Sequence, residues 1–464
     1  MNIDFKNVSF SYSDREKGAL KDINLKIRQG EFVLLAGASG CGKTTITRIL
    51  NGLIPGFYNG KLEGNVSIDG RSISEYKTYE LASMVGSVFQ NPRTQFFNVD
   101  TDSEITFGLE NAGVPLNEIN AVLEKVTDEL DLEKLRGRDI FKLSGGEKQK
   151  IAFASVYASG PDLYLMDEPS ANLDSAGIEG LKQCLEKIKT EGKTVMIAEH
   201  RLYYLAQLVD RVVYLKDGRI EKEISGDEFR SMSVESLNHM GLRTNHFLKM
   251  TSKDKKECNV IISDETISLK DLSIDYGKRR VLNKLNHDFH KGKVCCVAGR
   301  NGVGKSTLLR TMSGFIKWSE GNIVQNGKVI SLKELKKKAF MVMQDVNYQL
   351  FADSVLNECI LGTESKSEDM ALKLLDKMGL LEFKNLHPNT LSGGQKQRLA
   401  IAVSLMMDKE ILLFDEPTSG LDYKNMRLCA DFLKRLADKG KIIIVVTHDE
   451  EFMDCCSDEI YHLA

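Results

Sequence analysis

Three short segments of this 464-residue sequence occur twice, in the same order. Such a duplication constrains the fold more than any single motif, because two copies of one pattern predict two copies of one domain. At roughly 100–200 residues to a domain, the chain is long enough for both. The three pairs are GASGCGKTT (37–45) and GRNGVGKST (299–307), LSGGEKQK (143–150) and LSGGQKQR (391–398), and LYLMDEPSANLD (163–174) and LLFDEPTSGLD (412–422).

The duplication also predicts where the modules begin and end. The first should occupy residues 1–226, and the second 266–464, where TISLKDLSIDYG mirrors IDFKNVSFSYS near the N-terminus. Residues 227–265 are a predicted linker, polar and charge-rich in its later part, with a short helix expected within 227–242. Within each module, short β-branched runs such as EFVLLAGA alternate with longer helical patterns. This alternation predicts an α/β fold with a parallel sheet wrapped by helices.

The composition argues against several classes of protein. A net charge of -3 gives no reason to expect nucleic-acid binding. Nine cysteines without a CxxC pair favour a reduced, cytosolic setting. The longest uncharged apolar run, IIIVV at 442–446, is far shorter than the ~18 residues that span a bilayer, and the N-terminus lacks the pattern of a secretory signal. We therefore expect that this chain does not cross a membrane by itself.

The segment 37–44 predicts a phosphate-binding loop. It fits the pattern GxxxxGK[ST] directly after an apolar strand and before a helical run, which is the context that the motif requires. Its glycines let backbone N–H groups face anionic oxygens, and Lys43 can reach the terminal phosphates of a nucleotide. Thr44 is placed to bind Mg²⁺. The segment 299–306 repeats the pattern and ends in Lys305-Ser306, so a chance glycine-rich turn is a weak alternative.

Each module carries an acidic pair at the end of an apolar strand, Asp167-Glu168 in the first and Asp415-Glu416 in the second. An aspartate at the carboxyl end of a parallel strand, beside a phosphate loop, can hold Mg²⁺ through water. The glutamate that follows it can accept a proton from the attacking water, or orient that water. A helix N-cap is the alternative interpretation of either pair, and the neighbouring phosphate loop makes it the weaker one.

The LSGG segments, the acidic pairs and a later isolated histidine in each half together resemble the ATPase domain of ATP-binding cassette (ABC) proteins. The resemblance covers nearly the whole chain outside the linker. It implies two tandem P-loop ABC ATPase domains, each with a parallel-sheet core, an antiparallel β subdomain and a helical subdomain. It also implies that the two domains pair head to tail around two ATP molecules, with each LSGG turn facing the phosphate loop of the other domain.

The resemblance assigns roles to individual residues. The residues that would act in catalysis are Glu168, Glu416, His200, His448, Gln90 and Gln344. Those that would hold Mg²⁺ are Thr44, Gln90, Asp167, Ser306, Gln344 and Asp415. Those that would bind ATP, with the two tyrosines stacking on adenine, are Tyr12, Gly37, Ala38, Ser39, Gly40, Cys41, Gly42, Lys43, Thr44, Thr45, Ser144, Gly145, Gly146, Tyr276, Gly299, Arg300, Asn301, Gly302, Val303, Gly304, Lys305, Ser306, Thr307, Ser392, Gly393 and Gly394.

The head-to-tail pairing implies two mixed sites. One would join Lys43 and Glu168 to the turn Ser392–Gly394, and the other would join Lys305 and Glu416 to the turn Ser144–Gly146. Neither half lacks the lysine, the glutamate, the serine or the histidine of its set, so we predict two sites competent for hydrolysis. Mild departures between the halves, among them Arg201 after the first histidine where Asp449 follows the second, would make the sites kinetically unequal.

The sequences of three segments of the first half resemble those of a narrower group, the fused two-domain ATPases of energy-coupling factor (ECF) importers. The segments are QNPRTQFFNVDTDSEITFGLEN (90–111), NGLIPGFYNGKLEGNVSIDG (51–70) and IAEHRLYYLAQLVDRVVYLKDGRI (197–220). Those importers bring vitamins, their precursors or transition-metal ions into cells. The resemblance implies a peripheral protein on the cytoplasmic face of the membrane that binds a transmembrane T-type scaffold and a small S-type substrate-binding subunit, and no nucleic acid.

Gln90 and Gln344 match the loop glutamine of the family. In ABC transporters the region after this glutamine forms a groove that receives a short helix of the membrane partner. The resemblance therefore makes Phe96, Phe97, Leu350 and Phe351 candidate apolar contacts, against the alternative of an ordinary loop with buried aromatics. Three other functions stay open: a soluble twin-cassette ATPase that acts on ribosomes or DNA, the duplicated ATPase of a sugar importer, and a protein in which ATP is only a structural clamp. The short linker of mixed charge argues against the first of these functions, and the complete set of residues in both halves argues against the second. The two glutamates argue against the third.

Overall fold

The computed structural model describes residues 1–13, 19–171, 173–246, 265–277, 279–363 and 367–463. The chain divides into two compact units, Met1–Phe247 and Leu248–Ala464. The domain bounds at 226 and 266 stay a prediction, and residues 247–264 of the predicted linker lie outside the described residues. Where the sequence predicted one short helix within 227–242, the structure has two, and both belong to the first unit.

Two sheets organise the first unit. Its strands are β1 (Ile3–Tyr12), β2 (Leu20–Ile27), β3 (Phe32–Gly37), β4 (Gly60–Ile68), β5 (Arg71–Ser72), β6 (Val85–Val88), β7 (Leu163–Asp167), β8 (Thr194–Ala198), β9 (Arg211–Lys216) and β10 (Arg219–Ser225). An antiparallel sheet has the order β2-β1-β4-β5, and the core sheet has the order β10-β9-β3-β8-β7-β6. The core sheet is parallel except for the hairpin that joins β9 to β10.

Helices cover the core sheet of the first unit. They are α1 (Lys43–Leu50), α2 (Leu53–Gly56), α3 (Thr78–Met84), α4 (Thr101–Asn111), α5 (Leu116–Glu129), α6 (Gly145–Ala158), α7 (Ser175–Thr190), α8 (Gly226–Ser231) and α9 (Val234–His239). Helices α4, α5 and α6 pack on one another and form a helical layer inserted between β6 and β7. Phe229 of α8 and Leu237 of α9 are buried in the same apolar core as the central strands.

The second unit repeats this plan. Its strands are β11 (Thr266–Tyr276), β12 (Arg279–His290), β13 (Val294–Ala298), β14 (Glu320–Gln325), β15 (Lys328–Val329), β16 (Ala339–Val342), β17 (Ile411–Asp415), β18 (Ile442–Val446) and β19 (Glu459–His462). Its helices are α10 (Lys305–Met312), α11 (Leu332–Lys338), α12 (Val355–Ile360), α13 (Glu368–Lys377), α14 (Gly393–Met406), α15 (Tyr423–Asp438) and α16 (Glu450–Cys456). The antiparallel sheet has the order β12-β11-β14-β15, and the parallel core sheet has the order β16-β17-β18-β13-β19.

The alternation of side chains along a central strand explains why its sequence is apolar throughout. Along β3, Phe32 and Leu34 face the helical side of the sheet, while Val33 and Leu35 face the side of the antiparallel sheet. Both faces are covered, so every residue of this strand is buried. The predicted combination of a parallel-sheet core, an antiparallel β subdomain and a helical subdomain is confirmed for each unit. Among the described residues, no helix combines the length and the apolar character that crossing a membrane requires.

Candidate functional site

The first phosphate loop connects β3 to α1 and wraps around a lysine side chain. Gly42, just before the helix, has a φ of 108°, and a Cβ atom there would come within 2.7 Å of a neighbouring backbone carbonyl oxygen. Only glycine fits that position without strain. Nζ of Lys43 donates hydrogen bonds to the carbonyl oxygens of Gly37 (2.8 Å) and Ala38 (3.2 Å). The ammonium group therefore lies within the curve of the loop.

The second phosphate loop connects β13 to α10 with the same geometry. Gly304 has a φ of 108°, matching its counterpart in the first loop. Nζ of Lys305 donates hydrogen bonds to the carbonyl oxygens of Gly299 (2.7 Å) and Arg300 (3.0 Å). The residues that the sequence predicted to bind phosphate, at 37–45 and 299–307, thus form two matching strand–loop–helix turns. Each helix begins at its loop lysine, so the helix N-terminus, which favours an anion, lies at the loop.

Oxygen donors converge beside the first loop. Oγ1 of Thr44 donates a hydrogen bond to Oδ1 of Asp167 at 3.2 Å. Both residues and Gln90 line a cavity of about 300 Å³. Hydroxyl, carboxylate and amide oxygens are the ligands that Mg²⁺ prefers, so this set fits the predicted cation. In the second unit Ser306 forms a hydrogen bond with Asp415, the counterpart of the first pair.

Burial sets the ionisation of the two aspartates. Burial and the neighbouring Glu168 raise the pKa of Asp167 to about 6, although Thr44 and Lys43 act in the opposite direction. Burial also raises the pKa of Asp415, which the hydrogen bond with Ser306 only partly offsets. The folded state therefore disfavours a negative charge at both positions. A bound divalent cation would reverse that preference, because it favours the ionised carboxylate.

The two candidate catalytic glutamates share an uncommon backbone conformation. Glu168 has a φ of 47° and Glu416 a φ of 48°, in the left-handed region that residues with a side chain rarely adopt. Each backbone N–H donates to a carbonyl oxygen of the neighbouring central strand, that of Ala198 for the first and Val446 for the second, both at 2.8 Å. The turn sends the chain away from the strand while the glutamate stays beside it.

The carboxylate of Glu168 contacts two of the residues that the sequence assigned to the same site. Nε2 of Gln90 donates to its Oε2 at 2.8 Å, and Nε2 of His200 lies 3.3 Å from its Oε1. Nε2 of His200 also lies 3.4 Å from Nζ of Lys43. The structure thus brings together the predicted loop lysine, loop glutamine, glutamate and histidine of the first unit.

The second unit reaches a similar arrangement by different contacts. The backbone N–H of His448 donates to Oε2 of Glu416 at 3.3 Å, and Nε2 of the imidazole lies 3.5 Å from Oε1. The same Nε2 lies 2.9 Å from Oδ1 of Asn301 in the phosphate loop. Gln344 follows β16 by two residues and is exposed, as Gln90 is after β6. The lysine, glutamate and histidine of the second unit therefore also lie at one edge of the core sheet.

Both LSGG segments form helix N-termini, as expected of an anion-binding turn. Ser144 is the N-cap of α6 and Ser392 the N-cap of α14. The serine side chain accepts a hydrogen bond from the backbone N–H three residues later, and Glu147 or Gln395 bonds back to the serine N–H. The two glycines that follow each serine occupy the first turn of the helix. Their roles toward ATP stay a prediction.

The two tyrosines expected to stack on adenine differ in their surroundings. Oη of Tyr12 lies 3.2 Å from Oγ1 of Thr45, and Nη1 of Arg48 donates to it at 3.2 Å. This tyrosine also makes an edge contact with Tyr58 at a centroid distance of 6.4 Å. Tyr276, at the end of β11, is 47% exposed. Adenine stacking stays a prediction for both, and only the first ring is seen to be fixed beside its phosphate loop.

The segment after each loop glutamine has a repeated internal brace. A carboxylate oxygen of buried Glu104 accepts hydrogen bonds from the backbone N–H groups of Phe97 (3.0 Å) and Asn98 (2.8 Å). Buried Glu358 does the same for Phe351 (2.7 Å) and the residue after it (2.6 Å). These bonds hold the backbone while the phenylalanine side chains point outward.

The exposure of that segment separates the four candidate contacts. Phe97 is 76% exposed and stacks on Phe107 of α4 at a centroid distance of 4.9 Å, while Phe351 is 73% exposed. Leu350 is buried in the core of the second unit, and Phe96 packs against the core of the first. Only the phenylalanine at the second position of each pair is available to a partner.

Sequence reasoning missed one buried charged residue beside the first histidine, although it singled out Arg201 on the other side. Glu199 precedes His200 and is 2% exposed, and the hydroxyl of Tyr204 donates to its carboxylate at 2.9 Å. The signal was present in the duplication, because the second half has Thr447 where the first has Glu199. A charged residue in place of a small neutral one, directly after a buried strand, indicates a specific partner.

The model of the family described as ABC transporter matches residues 20–171 and 282–419, which together make up more than half of the chain. A Treponema denticola protein named "Putative ABC transporter ATP-binding protein" is 46% identical over 454 residues, covering 97% of this chain and 93% of its own length. A protein of the same name from Streptococcus pneumoniae serotype 4 is 33% identical over 496 residues, covering 99% of this chain and 88% of its own.

Among solved structures, an archaeal ribosome recycling factor, aABCE1, in complex with the ribosomal stalk protein aP1, is similar in fold. It is 24% identical with a TM-score of 0.67, and the match covers 98% of this chain and 87% of that one. At that identity the likeness supports the two-unit fold and nothing further. The family match, the relatives of nearly the same length and the two sets of site residues agree. This chain belongs to the ABC transporter family, as an ATP-binding protein with two tandem ATPase domains.

Proposed function

We propose that this chain is the ATP-hydrolysing subunit of an ECF-type ABC importer. ATP binding and hydrolysis would drive uptake of a vitamin, a vitamin precursor or a transition-metal ion through separate transmembrane subunits. The observation that carries the proposal is the outward-facing phenylalanine that follows the loop glutamine in both units, Phe97 and Phe351. In each unit a buried glutamate accepts a hydrogen bond from the backbone N–H of this phenylalanine and so keeps its ring exposed to water. An exposed aromatic ring that is fixed in the same way in both units favours partner binding.

Hydrolysis would proceed by attack of water on the γ-phosphorus of ATP. The new P–O bond forms as the bond from the γ-phosphorus to the β–γ bridging oxygen breaks, which leaves ADP and inorganic phosphate. Glu168 would take the proton of the attacking water in the first unit and Glu416 in the second. The contacts of Glu168 with Gln90 and His200 support this role, because they hold the carboxylate at the edge of the phosphate loop.

Mg²⁺ would neutralise part of the charge on the phosphates when bound. Its protein oxygens would come from Thr44, Gln90 and Asp167 in the first unit and from Ser306, Gln344 and Asp415 in the second. Two mixed sites would form. In each, the turn Ser144–Gly146 or Ser392–Gly394 would face the ATP held by the phosphate loop of the other unit. Support for this part is the resemblance itself, together with the helix N-termini that these turns form.

The membrane partners would be a T-type scaffold and a small S-type binding subunit, with the chain on the cytoplasmic face of the membrane. An amphipathic helix of the scaffold suits the surfaces around Phe97 and Phe351, since its apolar side would cover the two rings. Closing and opening of the ATPase units would then move that helix. No nucleic-acid partner is proposed, in keeping with the net charge of -3.

The test is recovery of the tagged chain with its partners from detergent-solubilised native membranes, with partners identified by mass spectrometry. We expect one transmembrane scaffold and a small, very hydrophobic subunit to co-purify. F97D/F351D should reduce that recovery at least about tenfold while ATP binding stays within about twofold, because a charge opposes burial of the ring. F57D/F315D is a matched control, since those phenylalanines are also largely exposed but lie outside the segment.

Two results would contradict the proposal. Undiminished recovery of the membrane subunits with F97D/F351D would remove the two rings as the binding surface. Recovery of ribosomes or DNA-repair proteins with no membrane protein would move the chain to the soluble twin-cassette class, whose ATPase residues would be the same.

A further inference from the structure

The residues on either side of the site histidine differ between the two units. The first unit has Glu199-His200-Arg201 and the second Thr447-His448-Asp449. In both units the flanking residues are buried, so none of the three charged side chains is solvated at the surface. Each triplet directly follows a central strand, β8 or β18, and that strand pairs with the strand that ends in the acidic pair. The two triplets therefore occupy the same place in the fold with different side chains.

In the first unit a single buried carboxylate accepts hydrogen bonds from four donors. Oε1 of Glu199 accepts from the backbone N–H groups of His200 (2.6 Å) and Arg201 (3.1 Å). Oε2 accepts from the backbone N–H of Ser170 (3.2 Å) and the hydroxyl of Tyr204 (2.9 Å). Ser170 lies two residues after the catalytic glutamate. The carboxylate therefore ties the loop of the histidine to the loop of the glutamate.

Arg201 reinforces the same tie from the other side of the histidine. Its Nη1 donates to the carbonyl oxygens of Ser170 (3.4 Å) and Leu173 (3.1 Å), both in the loop that follows the acidic pair. A buried guanidinium needs such acceptors, because an unpaired charge away from water strongly disfavours the folded state. The backbone of Ser170 thus donates to one flanking residue and accepts from the other.

In the second unit the connection is made by an aspartate that comes after the histidine. Oδ2 of Asp449 accepts from Oγ1 of Thr418 at 2.9 Å, and Thr418 stands where the first unit has Ser170. Oδ1 of Asp449 accepts from the backbone N–H of Phe452, the counterpart of Tyr204, at 3.2 Å. Oγ1 of Thr447 accepts from the backbone N–H of Asp449 at 3.1 Å. The same two loops are joined, with the carboxylate two positions further along the chain.

We propose that Glu199 is a positioning residue of the first ATP site. It joins the loop of the histidine to the loop that follows the acidic pair, as Asp449 does in the second unit from the other side of the histidine. Glu199 fixes His200 through its backbone N–H, and so keeps Nε2 of the imidazole 3.3 Å from Glu168. The inference rests on the roles of His200 and Glu168 proposed above, and not on the importer. We expect the residues that differ at four matching positions to be exchangeable as a set. They are Ser170, Glu199, Arg201 and Tyr204 in the first unit and Thr418, Thr447, Asp449 and Phe452 in the second.

Replacing the carboxylate by an amide isolates this role. E199Q keeps the size of the side chain, but one amide oxygen cannot accept from all the donors that the carboxylate serves, and its NH₂ opposes two of them. We expect kcat for ATP hydrolysis to fall to about half or less, with KM for ATP within about twofold, because Lys43 keeps its hydrogen bonds to the carbonyl oxygens of the phosphate loop. E129Q is the control, as Glu129 also accepts a tyrosine hydroxyl, that of Tyr157 at 2.8 Å.

The decisive variant transplants the second set into the first unit. S170T/E199T/R201D/Y204F should restore kcat to near the wild-type value, although it removes Glu199 altogether. This variant also carries the test if E199Q fails to fold. A folded transplant whose kcat stays at about half of the wild-type value or less, or a folded E199Q chain with unchanged kcat, would overturn the inference. E168Q, measured alongside, separates the two failures: if it leaves turnover unchanged, the proposed catalytic assignment is wrong, and if it lowers turnover while E199Q does not, only this inference fails.

Discussion

At the scale of single residues, the two glutamates show how the backbone contributes to the site. A left-handed conformation costs a residue with a side chain roughly 1–2 kcal/mol, and it persists at Glu168 and Glu416 because the backbone N–H of each pairs with the neighbouring strand. Nothing in the letters DEP indicates that conformation. The sequence predicted the chemical group, and the geometry that aims it comes from the strand beside it.

The pKa of Asp167 gives a test at the same scale. Because burial raises it from 3.8 to about 6, ionisation of this carboxyl increasingly disfavours the folded state as the pH rises from about 4 to about 6. D167N removes the ionisation, so it should raise the free energy of unfolding by on the order of 2–3 kcal/mol at pH 7.5, and by less at pH 4.5. Urea unfolding without nucleotide or divalent cation, at both pH values, measures the difference.

D128N, a change on the exposed side of α5, is the control for loss of one negative charge. It should leave the unfolding free energy nearly the same at both pH values. An equal gain for D167N at pH 7.5 and pH 4.5 would mean that packing, and not ionisation of Asp167, separates the variant from the wild type.

At the scale of strands and helices, the two units keep one ion pair with its polarity reversed. In the first unit Nε of Arg211, on β9, lies 2.7 Å from Oε1 of Glu31, next to β3. In the second unit Glu459, on β19, lies 2.7 Å from Lys293, next to β13. Both pairs join the same two neighbouring strands of the core sheet. Opposite charges therefore meet at this strand pair in both units, and the cation lies on a different strand in each.

This interchange predicts a rescue. K293E should lower the free energy of unfolding of the second unit by on the order of 1–3 kcal/mol, because it places two carboxylates together at a partly buried position. K293E/E459R restores opposite charges in the order that the first unit uses, and should regain at least about half of the loss. Urea unfolding of both variants and of E459R completes the cycle. A double variant no more stable than K293E would show that the pair depends on its own surroundings, such as His290, and not on the strand pair.

The amount that sequence could predict differs between elements and side chains. The alternation of short β-branched runs with helical patterns predicted the α/β fold, and the apolar run at 32–36 predicted a strand of the parallel sheet, because a strand buried on both faces needs apolar side chains throughout. The same apolar rule could not separate Leu350, which is in the core, from Phe351, which faces water. That difference depends on the buried Glu358, which fixes the backbone of the loop from the next helix. Contacts between distant residues are absent from local pattern.

At the scale of the whole chain, duplication has preserved the elements while allowing their connections to change. Both units keep the strand–loop–helix turn and the acidic pair. The backbone N–H of the histidine, however, donates to Glu199 in the first unit and to Glu416 in the second. A complete set of candidate residues in each unit predicts two hydrolytic sites.

The variant E168Q/E416Q tests both sites in one molecule. It removes the carboxylates proposed to accept the proton and leaves Lys43 and Lys305 to bind nucleotide, so turnover should fall at least about a hundredfold while about two ATP stay bound per chain. Turnover and nucleotide retained through gel filtration are measured together. K43M/K305M should retain none, since it removes both loop ammonium groups. Wild-type turnover by the glutamate variant would place the proton acceptor elsewhere, and retention of one ATP would mean that only one unit carries a complete site.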